Sequence, residues 1–164
     1  MKTLLLLRHA KSSWDDPSLR DFDRPLNKRG KRAAPLMAAH MRRKKVRPSL
    51  VVSSPAERAK QTALLVSEHA GFASPPRFDE RIYDAELSTL VEVVSQLDDS
   101  ADEVLLVGHN PGMEELLTHL TGAQERMPTA ALARLELDVE RWADVRAACG
   151  RLAWVARPKE LEGD

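Results

Sequence analysis

The chain has a single cysteine, Cys149, among its 164 residues. No intrachain disulfide and no cysteine-rich metal cluster can form from it, which suits a reducing, cytoplasmic setting. It also lacks any apolar run of the ~20 residues that a membrane-crossing helix needs. The N-terminus comes nearest, with Lys2 ahead of Leu4-Leu5-Leu6-Leu7. That run is too short for the apolar region of a signal peptide, and Arg8 ends it, so it reads as a buried strand. Net charge is absent too: 25 Lys and Arg balance 25 Asp and Glu. Such balance argues against a general nucleic-acid binder, whose domain is strongly basic. No repeat, low-complexity tract or long linker interrupts the chain, and its length fits one domain over 1–164.

What is present is an ordinary globular balance, with 43% apolar residues, enough for a sizeable core. The zero net charge hides an asymmetry. From Lys28 to Pro48 there are nine Lys or Arg and no Asp or Glu; from Ile82 to Glu125 there are ten Asp or Glu and no Lys or Arg. The fold therefore has a basic and an acidic side. Solvated helix faces account for this simply; steering of an anionic or phosphorylated partner is the functional alternative.

Residues 3–8, 49–53 and 103–107 are continuous apolar runs, the pattern of strands buried on both faces. Asn27 can cap a helix carrying Ala33, Leu36, Met37, His40 and Met41 at helical spacing, with Pro35 set to kink it or shift its start. After the second run, Ser54 is an N-cap candidate, with Pro55 at the first helical position and Glu57 completing a capping box. After the third, Asn110 can cap and Pro111 can begin a helix. Residues 131–137 and 151–157 read as late strands around a polar or helical segment near 140–148. Strands alternating with helices predict a three-layer α/β/α sandwich with a mainly parallel central sheet.

Three strand-to-helix junctions carry chemistry: Arg8-His9, then Ser53-Ser54 with Arg58, then Gly108-His109. In an open α/β sheet the ligand site lies beyond the carboxyl ends of the strands, where helix N-termini add free N–H groups. Two arginines and two histidines converging there suit a phosphoryl dianion. Alone, Arg8 reads as a surface residue, and either histidine as structural. Together in matching junctions they read as a site. Zinc held by His9, His109 and Asp84 is the other option, and adjacent arginines disfavour a cation. His40, His69 and His119 read as packing or surface residues. Ser53 and Ser54 lack the Gly-x-Ser-x-Gly elbow of a nucleophile.

The blocks Arg8-His9-Ala10, Ser53 through Ala63 and Val107-Gly108-His109-Asn110-Pro111 resemble the signatures of the histidine phosphatase superfamily, with a phosphoglycerate mutase-like fold. Asp23-Arg24-Pro25-Leu26 followed by Gly30, and the short chain, are similar to its small SixA-type branch of phosphohistidine phosphatases. The resemblance runs from the first strand to about Gly122. It departs at Ala10, where larger members usually have Gly. It implies that His9 is the nucleophile, that Arg8, Arg58 and His109 bind the phosphoryl group, and that no cofactor or metal is needed. Asp84 takes the place of the general acid, with Glu86 the second choice. The 25 residues from Asp84 to His109 leave no room for the insertion that roofs the site in larger relatives, so an open site facing a phosphorylated protein is expected.

His9 has to be neutral to attack phosphorus, and the charges of Arg8, Arg58 and His109 are expected to lower its pKa. Arg24 either binds phosphate or holds its loop by an ion pair. Trp14, in the loop after His9, either contacts substrate or anchors that loop. The expected partner is a phosphohistidine protein, with neither nucleic acid nor membrane. A small phosphomonoester is the alternative substrate. A non-catalytic phosphate-binding module is the alternative of another class, against which intact His9 argues.

Overall fold

A computed structural model describes residues 1–162. Six strands form one sheet: β1 (Lys2–Arg8), β2 (Leu50–Ser53), β3 (Arg77–Phe78), β4 (Glu103–Gly108), β5 (Leu132–Leu137) and β6 (Gly150–Ala156). Their order is β3-β2-β4-β1-β5-β6. The pairs β1–β4, β2–β4 and β2–β3 are parallel, whereas β5 pairs antiparallel with β1 and β6. The expected three-layer sandwich with a mainly parallel sheet is what forms.

The leucine run shows why. Side chains alternate across a strand, so consecutive apolar residues supply two cores at once. Leu4 and Leu6 enter one core with Val104, Leu106 and Val52; Leu5 and Leu7 enter the other with Leu105, Val107 and Val51. The first core is closed by α3 (Leu87–Ser95) and α4 (Gly112–Thr121). The second is closed by α1 (Lys28–Arg43), α2 (Glu57–Ala70) and the short α5 (Pro158–Leu161).

Local signals hold unevenly. Asn27 does cap α1, its side chain accepting from Gly30 N at 2.8 Å. Pro35 neither breaks nor delays that helix, which runs on through it. The capping box at Ser54 does not form. Helix α2 starts at Glu57 behind Ala56, with no side-chain cap. Buried Ser54 faces the site instead, and Glu57 accepts from Gln61 at 2.9 Å. Helix α4 starts at Gly112, one residue past Pro111, and Asn110 still accepts from Glu114 N at 3.2 Å. Between the late strands lies only a short 3-10 turn at Trp142–Asp144. His40 packs edge-on against Trp154, while His69 is exposed and His119 half-buried.

Candidate active site

The three junctions meet. Strand β1 pairs with β4 so that Arg8 lies beside Gly108, and β2 pairs with β4 so that Ser53 lies beside Val107. His9 and His109 therefore leave adjacent strand ends, and their ring centroids stand 5.1 Å apart. Arg58, in the first turn of α2, is buried at the same edge. His9 N donates to Gly108 O at 3.0 Å, which ties the two junctions through the backbone.

His9 Nδ1 lies 2.7 Å from Ala10 O. A carbonyl only accepts, so Nδ1 carries the proton and Nε2 keeps its lone pair. The imidazole is 7% exposed. Burial, opposed by the Ala10 hydrogen bond and helped by Arg58, Arg8 and Arg24, pushes its pKa down to about 4. The neutral form follows as expected, but desolvation leads and the neighbouring charges come second. His109 is driven to about 3, again by burial first, then by His9 and Arg58. Its Nε2 lies 2.8 Å from Ser54 Oγ, and its buried Nδ1 has no partner among the described residues. Ser54 Oγ also accepts from Ala56 N at 3.2 Å, so its own proton is available to His109 Nε2.

Arg58 is held by a residue that local patterns did not single out. Its Nη1 donates to Asp21 O at 2.7 Å and its Nη2 to Asp21 Oδ2 at 3.0 Å. The Tyr83 hydroxyl donates to the same Oδ2 at 2.7 Å, and Arg24 donates to Oδ1 at 2.8 Å. Burial opposes ionisation of Asp21, but Tyr83, Arg58 and Arg24 outweigh it and hold the carboxyl down to about 2. Tyr83 stands edge-on to His109 at 5.5 Å. Thr62 is a second such residue. It accepts from Ala10 N at 2.9 Å and donates to Arg58 O at 2.7 Å, linking the His9 loop to α2. Its position four residues after Arg58 is the one available signal, since Thr commonly bonds the carbonyl one turn back.

Arg24 is tied into its loop. Its Nε donates to Ser13 O at 3.1 Å, and its two outer nitrogens donate to Asp21 and Ser12. Trp14, 76% exposed, covers the guanidinium with its ring centroid 3.2 Å away. Arg8 donates to Met127 O at 3.1 Å. Asp84 lines a small cavity of about 110 Å3 together with Asp21, Arg58, Tyr83 and His109. Glu86 does not line it and stands at the start of α3. Among the described residues no group of three or more His, Cys, Asp or Glu is placed to hold a metal ion, and no helix is long and apolar enough to cross a membrane.

Known proteins share this fold and part of this sequence. A family model described as histidine phosphatase superfamily (branch 1) matches residues 4–93. An uncharacterized protein from Mycobacterium tuberculosis is 34% identical over 93% of this chain and 100% of its own length. A solved structure from Agrobacterium tumefaciens, provisionally designated phosphohistidine phosphatase SixA, is 30% identical with a TM-score of 0.82, covering 96% of this chain and 98% of that one. The protein histidine phosphatase SixA complexed with tungstate shares the fold at a TM-score of 0.84 and 24% identity, over 98% of this chain and 99% of that one. With more than half its length matched by the family model, and the three blocks brought to one sheet edge, the chain belongs to the histidine phosphatase superfamily.

Proposed function

We propose that the chain hydrolyses phosphohistidine in proteins through a phosphoryl intermediate on His9. The observation that carries this reading is the His9 imidazole, buried and neutral, with Nδ1–H committed to Ala10 O. Its Nε2 lone pair attacks phosphorus, and the bond to the leaving imidazole of the substrate breaks. Arg8, Arg58 and His109 donate to the non-bridging oxygens; fork-shaped guanidinium groups suit that task. Water then attacks the phosphohistidine, releasing orthophosphate and returning neutral His9. Asp84, on the cavity wall, protonates leaving groups that need a proton.

The small cavity supports a protein substrate. Sites that enclose small organic ligands usually measure about 300 Å3 or more, whereas the space beside Arg58 and His109 is about 110 Å3. Neither His9 nor Arg8 lines that space, so it does not enclose the reacting centre; its size supports only that no small organic ligand is enclosed beside Arg58 and His109.

Wild type and His9→Ala, each incubated with a phosphohistidine protein and with an aryl phosphate, test the reading. Wild type is expected to clear the phosphohistidine protein and to carry an acid-labile, base-stable phosphoryl group; His9→Ala does neither. Equal turnover by His9→Ala would sink the mechanism. Far better turnover of the aryl phosphate would sink the substrate assignment, and binding without turnover would point to a non-catalytic module.

A further inference from the structure

The fold splits the basic segment 28–48. Helix α1 is 16 residues long, so its ends lie roughly 24 Å apart at 1.5 Å per residue. Arg42, Arg43 and Arg47 line a cavity at its C-terminal end, beside Glu68 and His69 of α2. Cations at that end complement the helix dipole and need no further explanation. The N-terminal end is different. Its first turn carries Lys28, Arg29, Lys31 and Arg32 and no acidic residue. Cations there oppose the dipole, so local helix stability does not account for them.

Arg29 and Arg32 face a groove of about 650 Å3. Two further elements add cations: Lys11, in the loop after β1, and Lys159, on α5. All four side chains are exposed, and none is in an ion pair among the described residues. Glu162 is the one acidic side chain on the lining.

The groove adjoins the catalytic edge. Lys11 is two residues past His9. Pro128 and Thr129 form its wall, and the next residue, Ala130, donates its N–H to both Arg8 O and His9 O at 3.1 and 3.0 Å. Pro128 also lines a smaller cavity whose wall includes Arg8.

We propose that this groove docks an acidic segment of the phosphorylated protein substrate, next to the phosphohistidine held at Arg8 and His9. The proposal rests on the phosphohistidine-protein reading and adds where the protein part of the substrate binds. Four cations outside any ion pair among the described residues, from three elements and against one acidic side chain, line a groove next to the His9 loop and set the sign of the partner's charge. A peptide fits the reading better than RNA, because the chain as a whole carries no net positive charge.

The test uses synthetic phosphohistidine peptides flanked by glutamates or by glutamines. Wild type is expected to show a KM about tenfold lower for the acidic peptide at low salt, with the advantage fading as salt rises. Arg29→Glu/Arg32→Glu loses that preference and keeps its turnover of an aryl phosphate. Arg29→Gln/Arg32→Gln gives an intermediate loss, and Arg42→Glu/Arg43→Glu at the far end of α1 gives none. Anisotropy of the labelled, unphosphorylated acidic peptide reads the groove without any turnover. Equal KM values for the two peptides, an equal effect of the far-end variant, or tighter binding of an RNA oligonucleotide than of the acidic peptide would overturn the groove assignment. A wild type that binds the acidic peptide at Arg29 and Arg32 but turns over only aryl phosphate would overturn the phosphohistidine reading alone.

Discussion

Asp21 holds Arg58 twice, by its main-chain carbonyl at 2.7 Å and by its carboxylate at 3.0 Å. The carbonyl orients the guanidinium at no charge, whereas the carboxylate places a negative charge beside the proposed phosphate position. Asp21→Asn keeps the first contact and removes the charge. Orthophosphate inhibition is expected to tighten about three- to tenfold, since like charge near a phosphate site opposes binding. Weaker inhibition in Asp21→Asn would show that the carboxylate serves mainly to position Arg58.

Asp84 has φ 51°, in the left-handed region where Asn and Asp are tolerated better than other side chains. Asp84→Asn therefore removes the acid without adding backbone strain. Turnover of alkyl phosphates should fall by roughly 10²-fold or more, as for the loss of a general acid. Phosphohistidine turnover should fall far less, because a protonated imidazole leaves readily. Equal losses on both substrates would assign Asp84 a structural role.

Arg24 spends its fork on Ser12, Ser13 and Asp21, all within or beside one loop. Arg24→Lys preserves the charge and loses the fork. Stability should drop by about 1–3 kcal/mol, the range for buried polar groups left unpaired. Hydrogen exchange should quicken across 11–26 more than elsewhere. Unchanged exchange with a raised KM for orthophosphate-type inhibitors would return Arg24 to direct phosphate binding.

Gly30 approaches the same loop from α1. A Cβ there would stand 2.2 Å from Lys11 O, a backbone atom that cannot swing away. Gly30→Ala must push α1 off the His9 loop, at roughly 1–3 kcal/mol by analogy with overpacked cores. Thermal unfolding and turnover should fall together; a fully stable Gly30→Ala would mean that the contact relaxes freely.

His9 and His109 are neutral in the fold down to about pH 4 and 3, against an ordinary value of 6.5. Below pH 6.5 the unfolded chain takes up protons that the folded chain refuses, so stability falls with pH. Present in full above 6.5, this contribution fades down to about pH 4 for His9 and about pH 3 for His109, by on the order of 3 and 5 kcal/mol. Denaturant melts at pH 7 and 4.5 should show the drop, and His9→Asn/His109→Gln should shrink it. Imidazole NMR signals of either residue moving near pH 6.5 would contradict the burial argument.

Local patterns alone determined the layers and where the candidate site residues emerge. A run such as Leu4–Leu7 supplies both faces of a strand, and Arg8-His9, Arg58 and His109 follow apolar runs, so strand ends and helix starts mark where they emerge. Tertiary structure decided what those residues touch. Asp21 meets Arg58 across 37 positions and Tyr83 across 62. Those contacts depend on the path of the 11–26 loop, which no periodicity encodes. Ser54 shows the same limit from the other side: its spacing satisfies a capping box, yet burial beside His109 gives its hydroxyl a different partner. The basic segment 28–48 is continuous in sequence, but the rise of a helix carries its two halves to opposite ends, and only one of them shares a groove with Lys11 of the His9 loop.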